Sequence, residues 1–393
     1  MNNNTIFANL EIETPAFVYE EDRILSSIQR LLSQVKTSTG CKILFPLKSF
    51  SIATALQLMS HQIDGFSASS LFEAKLARDI LGDEKSVHIT TPGLRYDEIG
   101  EISELCDYIS FNSLSQWERC RNSISDKTSC GLRINPQLLF VKDDRYNPCR
   151  KYSKLGVPIT TLSDISNNGF KDVKDIKGLH FHTNCESKDF DHLFTTVKHI
   201  DAHIPEILGQ VKWLNLGGGY LFEDARDLDK LIETVIFLRK KYDAEVFFEP
   251  GKGIVGKAGY IVSSVVDMFE SDGQNIAILD TTVNHMPEVF EYQHQPRISQ
   301  ESEKGKYEYI LAGATCLAGD LFGEYTFDEP LERGSQIVFE EMGAYTMVKA
   351  HMFNGVNLPA VYAYTKDGEL ELKKQFSYEE YVLRCGANEY ATV

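Results

Sequence analysis

Four short segments of this 393-residue chain set chemically capable side chains directly behind apolar runs. The first is Ile43-Leu-Phe-Pro-Leu-Lys48. A lysine is ordinarily a solvated surface residue. One that ends an apolar strand is placed for burial, and burial favours the neutral amine that attacks an aldehyde. Lys42 opens the same run and lies at its other end. The second segment is Gly178-Leu-His-Phe-His182. Alternate strand residues share a face, so His180 and His182 point the same way. Such a pair suits contact with a planar ring, ordinary packing or a metal site, and the metal reading needs further ligands that the later runs do not supply as histidine. The third, Asn215-Leu-Gly-Gly-Gly-Tyr220, either brings backbone N–H groups close to an anion or simply makes a flexible turn. The fourth, Phe248-Glu-Pro-Gly251, presents Glu249, either a solvated loop acid or a partner for a protonated ring nitrogen.

These segments belong to a longer alternation. Strand-like runs occur at 42–47, 62–66, 87–90, 108–112, 130–135, 178–183, 211–216 and 245–249, with helix-period stretches such as 51–60, 71–81 and 228–242 between them. Eight βα units predict an α/β fold, a closed (β/α)8 barrel over 25–255. Barrel enzymes carry their chemistry at the C-terminal strand ends, where Lys48, the histidines, the glycines and Glu249 all fall. A loop-like insertion, 136–158, widens the gap after the fifth strand. Later runs at 260–269, 275–280, 307–312, 335–339 and 360–364 have little helix between them. They predict a mostly antiparallel β-barrel or sandwich domain over 256–393, which the early run 16–19 joins, adding 1–24.

Asp and Glu number 57 against 40 Lys and Arg, a formal charge of −17. That balance argues against nucleic acid or an anionic membrane surface as partner and suits a small cationic substrate. The N-terminal stretch shows no basic region followed by an apolar core, and no apolar run approaches the ~20 residues of a membrane helix. Eight cysteines without a CxxC pair suggest reduced thiols in the cytoplasm.

An amine, a ring partner, an anion cradle and an acid for a ring nitrogen are together what pyridoxal 5'-phosphate requires. On these and further segments the chain resembles, over essentially its whole length, the alanine-racemase-fold (fold type III) pyridoxal-phosphate decarboxylases, the family of ornithine and diaminopimelate decarboxylases. The carrying segments include Pro46-Leu-Lys48, Gly131-Leu-Arg-Ile-Asn-Pro136, Tyr152-Ser-Lys-Leu-Gly156, Leu216-Gly-Gly-Gly219, Glu249-Pro-Gly251 and Gly343-Ala-Tyr-Thr-Met-Val-Lys349. His182-Thr-Asn-Cys-Glu186, His285-Met-Pro-Glu288 and Cys316-Leu-Ala-Gly-Asp320 are more specific to the branch acting on carboxynorspermidine and carboxyspermidine.

The resemblance implies that Lys48 bonds the cofactor, His182 stacks on its ring, and Glu249 pairs with the pyridine nitrogen. It implies phosphate contacts from Gly217, Gly218, Gly219 and Tyr345, with Gly251 in the adjoining turn. Cys316 is then the acid that protonates the α-carbon after carbon dioxide leaves, with Asp320 facing the distal amine and His285 lining the substrate pocket. It further implies a homodimer whose sites are shared, Cys316 and Asp320 coming from the second subunit. Two segments depart from the family pattern: Lys252, where relatives commonly carry Arg or Glu, and Tyr292-Gln-His-Gln-Pro296. The rival readings are a decarboxylase of ornithine, diaminopimelate or another aminocarboxypropyl compound, a racemase using Lys48 and a tyrosine, and an inactive regulator. Lys48, Glu249 and Cys316 together weigh against the last.

Overall fold

The computed structural model describes residues 12–169, 173–222, 224–225 and 228–387. Residues 1–11 and 388–393, which the sequence reading gave to the β domain, lie outside them. The chain divides into two compact units, Leu25–Ile254 and the remainder on either side of it.

In chain order β1 (Ala16–Glu20) comes first and belongs to the second unit. The first unit then runs through β2 (Lys42–Pro46), β3 (Gly65–Ala68), β4 (Ser86–Thr91), β5 (Tyr108–Phe111) and β6 (Ser129–Asn135). It continues with β7 (Val157–Pro158), β8 (Gly178–His180), β9 (Trp213–Asn215) and β10 (Glu245–Phe248). The order β5-β4-β3-β2-β10-β9-β8-β6 closes through β5–β6 pairing, and every pairing in it is parallel. This is the eight-stranded barrel that the alternation predicts, with β7 a two-residue addition to β6.

The third strand begins at Gly65 rather than at residue 62. Asp64 explains the shift: its carboxylate accepts from the Ile43 backbone N–H (2.8 Å) and from Lys36 (2.7 Å), so it ends a turn instead of joining the ladder. Deep in the barrel His88 stacks on Tyr108 with centroids 4.1 Å apart, while Trp213 and Phe247 meet them edge-on. Each such aromatic pair adds about 0.5–1.5 kcal/mol beyond the area it buries. Outside, helix Leu71–Leu81 starts where Ser70 Oγ accepts from the Glu73 N–H and Glu73 accepts from the Ser69 N–H. This reciprocal cap fixes the β3–helix loop that carries Ser67 and Ser69.

In the second unit the strands are β11 (Gly259–Ser271), β12 (Gln274–Leu279), β13 (Tyr307–Ala312), β14 (Leu321–Phe327), β15 (Gln336–Phe339), β16 (Ala360–Tyr364) and β17 (Leu370–Lys374). They form one sheet ordered β14-β13-β12-β11-β1-β16-β17, with β15 also on β11. Pairing is antiparallel except at β1–β16 and β12–β13. As predicted, β1 joins this sheet, between β11 and β16. Among the described residues no helix is long and apolar enough to cross a membrane.

Candidate active site

Lys48 lies in the one-turn helix Leu47–Ser49 that follows β2. The turn is held by Ser49 Oγ donating to the Pro46 carbonyl (2.8 Å) and by the Phe50 N–H donating to the Leu47 carbonyl (3.0 Å). Leu47 and Ser49 point into the protein, which leaves Lys48 directed into a cavity of about 460 Å³ at the C-terminal ends of the barrel strands. Its side chain is reached through that cavity, yet the cavity is sunk within the barrel. The enclosure lowers the Lys48 pKa; the Glu249 carboxylate opposes this and Arg133 adds to it.

Glu249, 4% exposed, lines the same cavity from the end of β10. Its Oε1 accepts from Ser67 Oγ (2.9 Å) and from Asn215 Nδ2 (2.7 Å), which fixes the carboxylate from two strand ends. His180 and His182 both line the cavity, as their alternation predicts, although β8 ends at His180 and His182 stands on the loop beyond it. Burial, reinforced by neighbouring cations, holds both imidazoles well below the usual histidine pKa, so both are neutral at pH 7. His182 Nδ1 accepts from the Gly218 N–H, whereas His180 Nδ1 is buried without a hydrogen-bond partner.

The glycine turn has physical reasons of its own. A Cβ on Gly218 would run into the Glu249 carbonyl, so only glycine lets these two loops meet. Asn215 Oδ1 takes the Gly217 N–H (2.9 Å) and His182 takes that of Gly218 (3.1 Å). Among the described residues the Gly219 N–H donates no backbone hydrogen bond, while its carbonyl accepts from the Ser187 N–H (2.9 Å). Gly251 packs on the Lys48 turn, where a Cβ would sit 2.8 Å from Ser49 Oγ. Lys252, next in sequence, pairs with Glu186.

Sequence reasoning gave no role to Arg133, Ser67 or Asn215, or to the wall built by the 136–158 insertion. Arg133 projects from β6 into the cavity, and burial lowers its pKa to about 10. The insertion contributes Asp144, Arg145, Arg150 and Lys154 to the lining. The cavity therefore carries five Lys or Arg side chains against two carboxylates, in a chain whose net charge is −17. The available signal was polar residues interrupting apolar strands near their C-terminal ends.

The remaining residues of interest lie in the β unit. Asp320, buried, accepts from the Val283 N–H (2.8 Å), the Thr315 N–H (3.1 Å) and Thr315 Oγ1 (2.5 Å), tying the loop before β14 to the one carrying His285. His285 is fully buried, with Nδ1 2.9 Å from Thr281 Oγ1 and Nε2 unpartnered. Burial holds its pKa at about 3. Cys316 is exposed, its N–H donating to Asn354 Oδ1 (2.9 Å). Tyr345 occupies a left-handed turn conformation, φ 57°. The segment 292–296 is anchored by Tyr325, whose hydroxyl donates to the Pro296 carbonyl (2.6 Å). Among the described residues no cluster of three or more His, Cys, Asp or Glu could hold a metal ion.

A cationic cavity, an amine of lowered pKa sharing it with a carboxylate, and neutral imidazoles together fit an anionic aldehyde cofactor with a basic ring, and define a pyridoxal-phosphate barrel. The chain belongs to the pyridoxal-dependent decarboxylase family: the model described as "Pyridoxal-dependent decarboxylase, C-terminal sheet domain" matches residues 16–343. It is a decarboxylase, and its cofactor is pyridoxal phosphate. It is 36% identical over 389 residues to the carboxynorspermidine/carboxyspermidine decarboxylase of Campylobacter jejuni, covering 95% of this chain and 99% of that one. To the carboxyaminopropylagmatine decarboxylase of Synechocystis it is 36% identical over 383 residues, covering 95% and 96%. The crystal structure of carboxynorspermidine decarboxylase complexed with norspermidine, from Campylobacter jejuni, superposes with a TM-score of 0.84 at 34% identity, covering 95% of this chain and 100% of that one.

Proposed function

We propose that the protein decarboxylates carboxynorspermidine and carboxyspermidine to norspermidine and spermidine, as a cytoplasmic homodimer in polyamine synthesis. The observation that carries the chemistry is Lys48 and Glu249 facing one cavity at the barrel mouth. The near-full-length similarity to a relative named for both substrates supports the substrate class.

Bound in that cavity, pyridoxal phosphate supplies the sink for the electron pair left when carbon dioxide departs. Lys48 is the anchoring amine, and the burial that lowers its pKa favours the neutral form that attacks an aldehyde. Glu249, oriented by Ser67 and Asn215, keeps a proton on the ring nitrogen. His182 packs its neutral ring against the cofactor; Gly217, Gly218, Gly219, Gly251 and Tyr345 form the phosphate side. Cys316 of a second copy gives the proton to the α-carbon, while Asp320 and His285 serve the distal amines. Barrel residues 25–255 thus bind the cofactor, and segments 1–24 and 256–393 supply substrate and dimer contacts. The exposure of Cys316, whose N–H bonds to Asn354 next to exposed Phe353, supports a covered face there.

A second substrate, carboxyaminopropylagmatine, is supported by the Synechocystis relative at the same 36% identity. Measuring kcat/KM for these three compounds, ornithine and diaminopimelate tests the proposal. A site built for a long polycation should favour one of the three by roughly a hundredfold or more, since short substrates leave buried polar groups unpaired. A higher value for ornithine or diaminopimelate would overturn it.

A further inference from the structure

We propose that Asn215 is a positioning residue whose single amide couples the Glu249 carboxylate to the glycine turn. This rests on the roles proposed above for Glu249 and Gly217–Gly219. Asn215 is buried at the end of β9. Its Nδ2 donates to Glu249 Oε1 over 2.7 Å, while its Oδ1 accepts from the Gly217 N–H over 2.9 Å. The Glu249 N–H donates back to the Gly217 carbonyl over 2.8 Å, which closes a ring through Asn215, Gly217 and Glu249. An amide can donate in one direction and accept in the other without carrying charge. Neither a carboxylate nor an ammonium can fill both places.

Ser67 supplies the second donor to the same oxygen, at 2.9 Å, and among the described residues its hydroxyl makes no hydrogen bond to the turn. Both donors are neutral, so they orient Glu249 without adding a charge beside it. Replacing Asn215 by aspartate keeps the acceptor for Gly217, removes the donor, and sets a second carboxylate against Oε1. Two carboxylates so close share one proton, so one of the pair titrates above the ordinary carboxylate range.

The test measures the cofactor dissociation constant by equilibrium dialysis from pH 4.5 to 8, for wild type, Asn215→Asp, Ser67→Ala and Glu249→Gln. The ratio of Asn215→Asp to wild type should change by about tenfold or more across that range, as one extra titrating group requires. For Ser67→Ala the ratio should be raised a few-fold and stay flat. A flat ratio for Asn215→Asp overturns the coupling to Glu249. If Glu249→Gln leaves both affinity and cofactor absorbance unchanged, it is the reading of Glu249 that fails instead. The second arm follows protection of the apo-enzyme by inorganic phosphate in thermal melts, and stands even if the aspartate variant does not fold. Ser67→Ala should retain the wild-type shift and Asn215→Ala should lose most of it. Equal shifts in those two variants overturn the coupling to the turn. No shift in wild type overturns the phosphate role of the glycines.

Discussion

His182 Nδ1 accepts the Gly218 backbone N–H across 3.1 Å, so the neutral imidazole of His182 carries its proton on Nε2. This hydrogen bond therefore ties ring orientation and tautomer to the glycine turn. His182→Phe keeps an aromatic face but leaves the Gly218 donor without its partner, a loss of about 1–3 kcal/mol when buried. Cofactor affinity measured by dialysis should fall roughly tenfold to a hundredfold while the far-ultraviolet circular dichroism stays native. Unchanged affinity would show that stacking alone suffices.

Glu249→Gln removes the acid while keeping the acceptor oxygen for Ser67 and Asn215. The fold should persist and decarboxylation should slow by roughly a hundredfold, equivalent to about 2–3 kcal/mol of transition-state stabilisation. Steady-state carbon dioxide release at saturating cofactor checks this. Turnover equal to wild type removes Glu249 from the mechanism.

Acid should destabilise the protein through its buried imidazoles. His88 and His285 have folded-state pKa values of about 3, against an ordinary 6.5. Each is neutral in the folded chain and takes up a proton on unfolding. Their stabilising effect is therefore complete above pH 6.5 and is lost as pH falls from there towards 3. Between pH 7 and pH 5 each should cost roughly 2 kcal/mol. Urea melts across that range should show the loss, and His88→Phe should remove about one proton from the pH slope. A slope unaltered in that variant would contradict the assignment to His88.

Much of the architecture was legible because each barrel strand is a short apolar run ended by turn residues. Two β-unit strands were not. β17, Leu-Glu-Leu-Lys-Lys, is a half-exposed edge strand that buries too little to show an apolar face. β14 follows directly on Asp320 and holds Gly323 at φ 140°, so it reads as loop. In the site, Lys48, His182 and Glu249 stood out as charged or imidazole groups behind apolar runs. Ser67 and Asn215 did not, because their meaning lies in hydrogen bonds to Glu249, which is 182 positions from one and 34 from the other. The insertion wall was hidden for the same reason: its polar sequence looks like any solvated loop until the chain closes over the barrel mouth.

The proposed sharing of sites between two subunits gives a quantitative expectation for mixed dimers. Lys48→Ala and Cys316→Ala dimers should each be nearly inactive. After dissociation and random pairing, half the dimers are mixed, and each mixed dimer has one intact site of two. Activity should recover to about a quarter of wild type. Fully exchanged mixtures that stay inactive would mean that Cys316 serves the Lys48 of its own chain.

Lys48, at the barrel mouth, is the proposed anchor of the cofactor. Borohydride reduction of the holoenzyme followed by peptide mapping tests it directly. Lys42 is the internal control, since it opens the same strand and pairs with Glu245 at 2.9 Å, at the far end from the cavity. The pyridoxyl group should be found on Lys48 alone, and Lys48→Ala should leave none. An adduct on Lys42, or a fully active enzyme with no adduct on Lys48, would rule out Lys48 as the anchor.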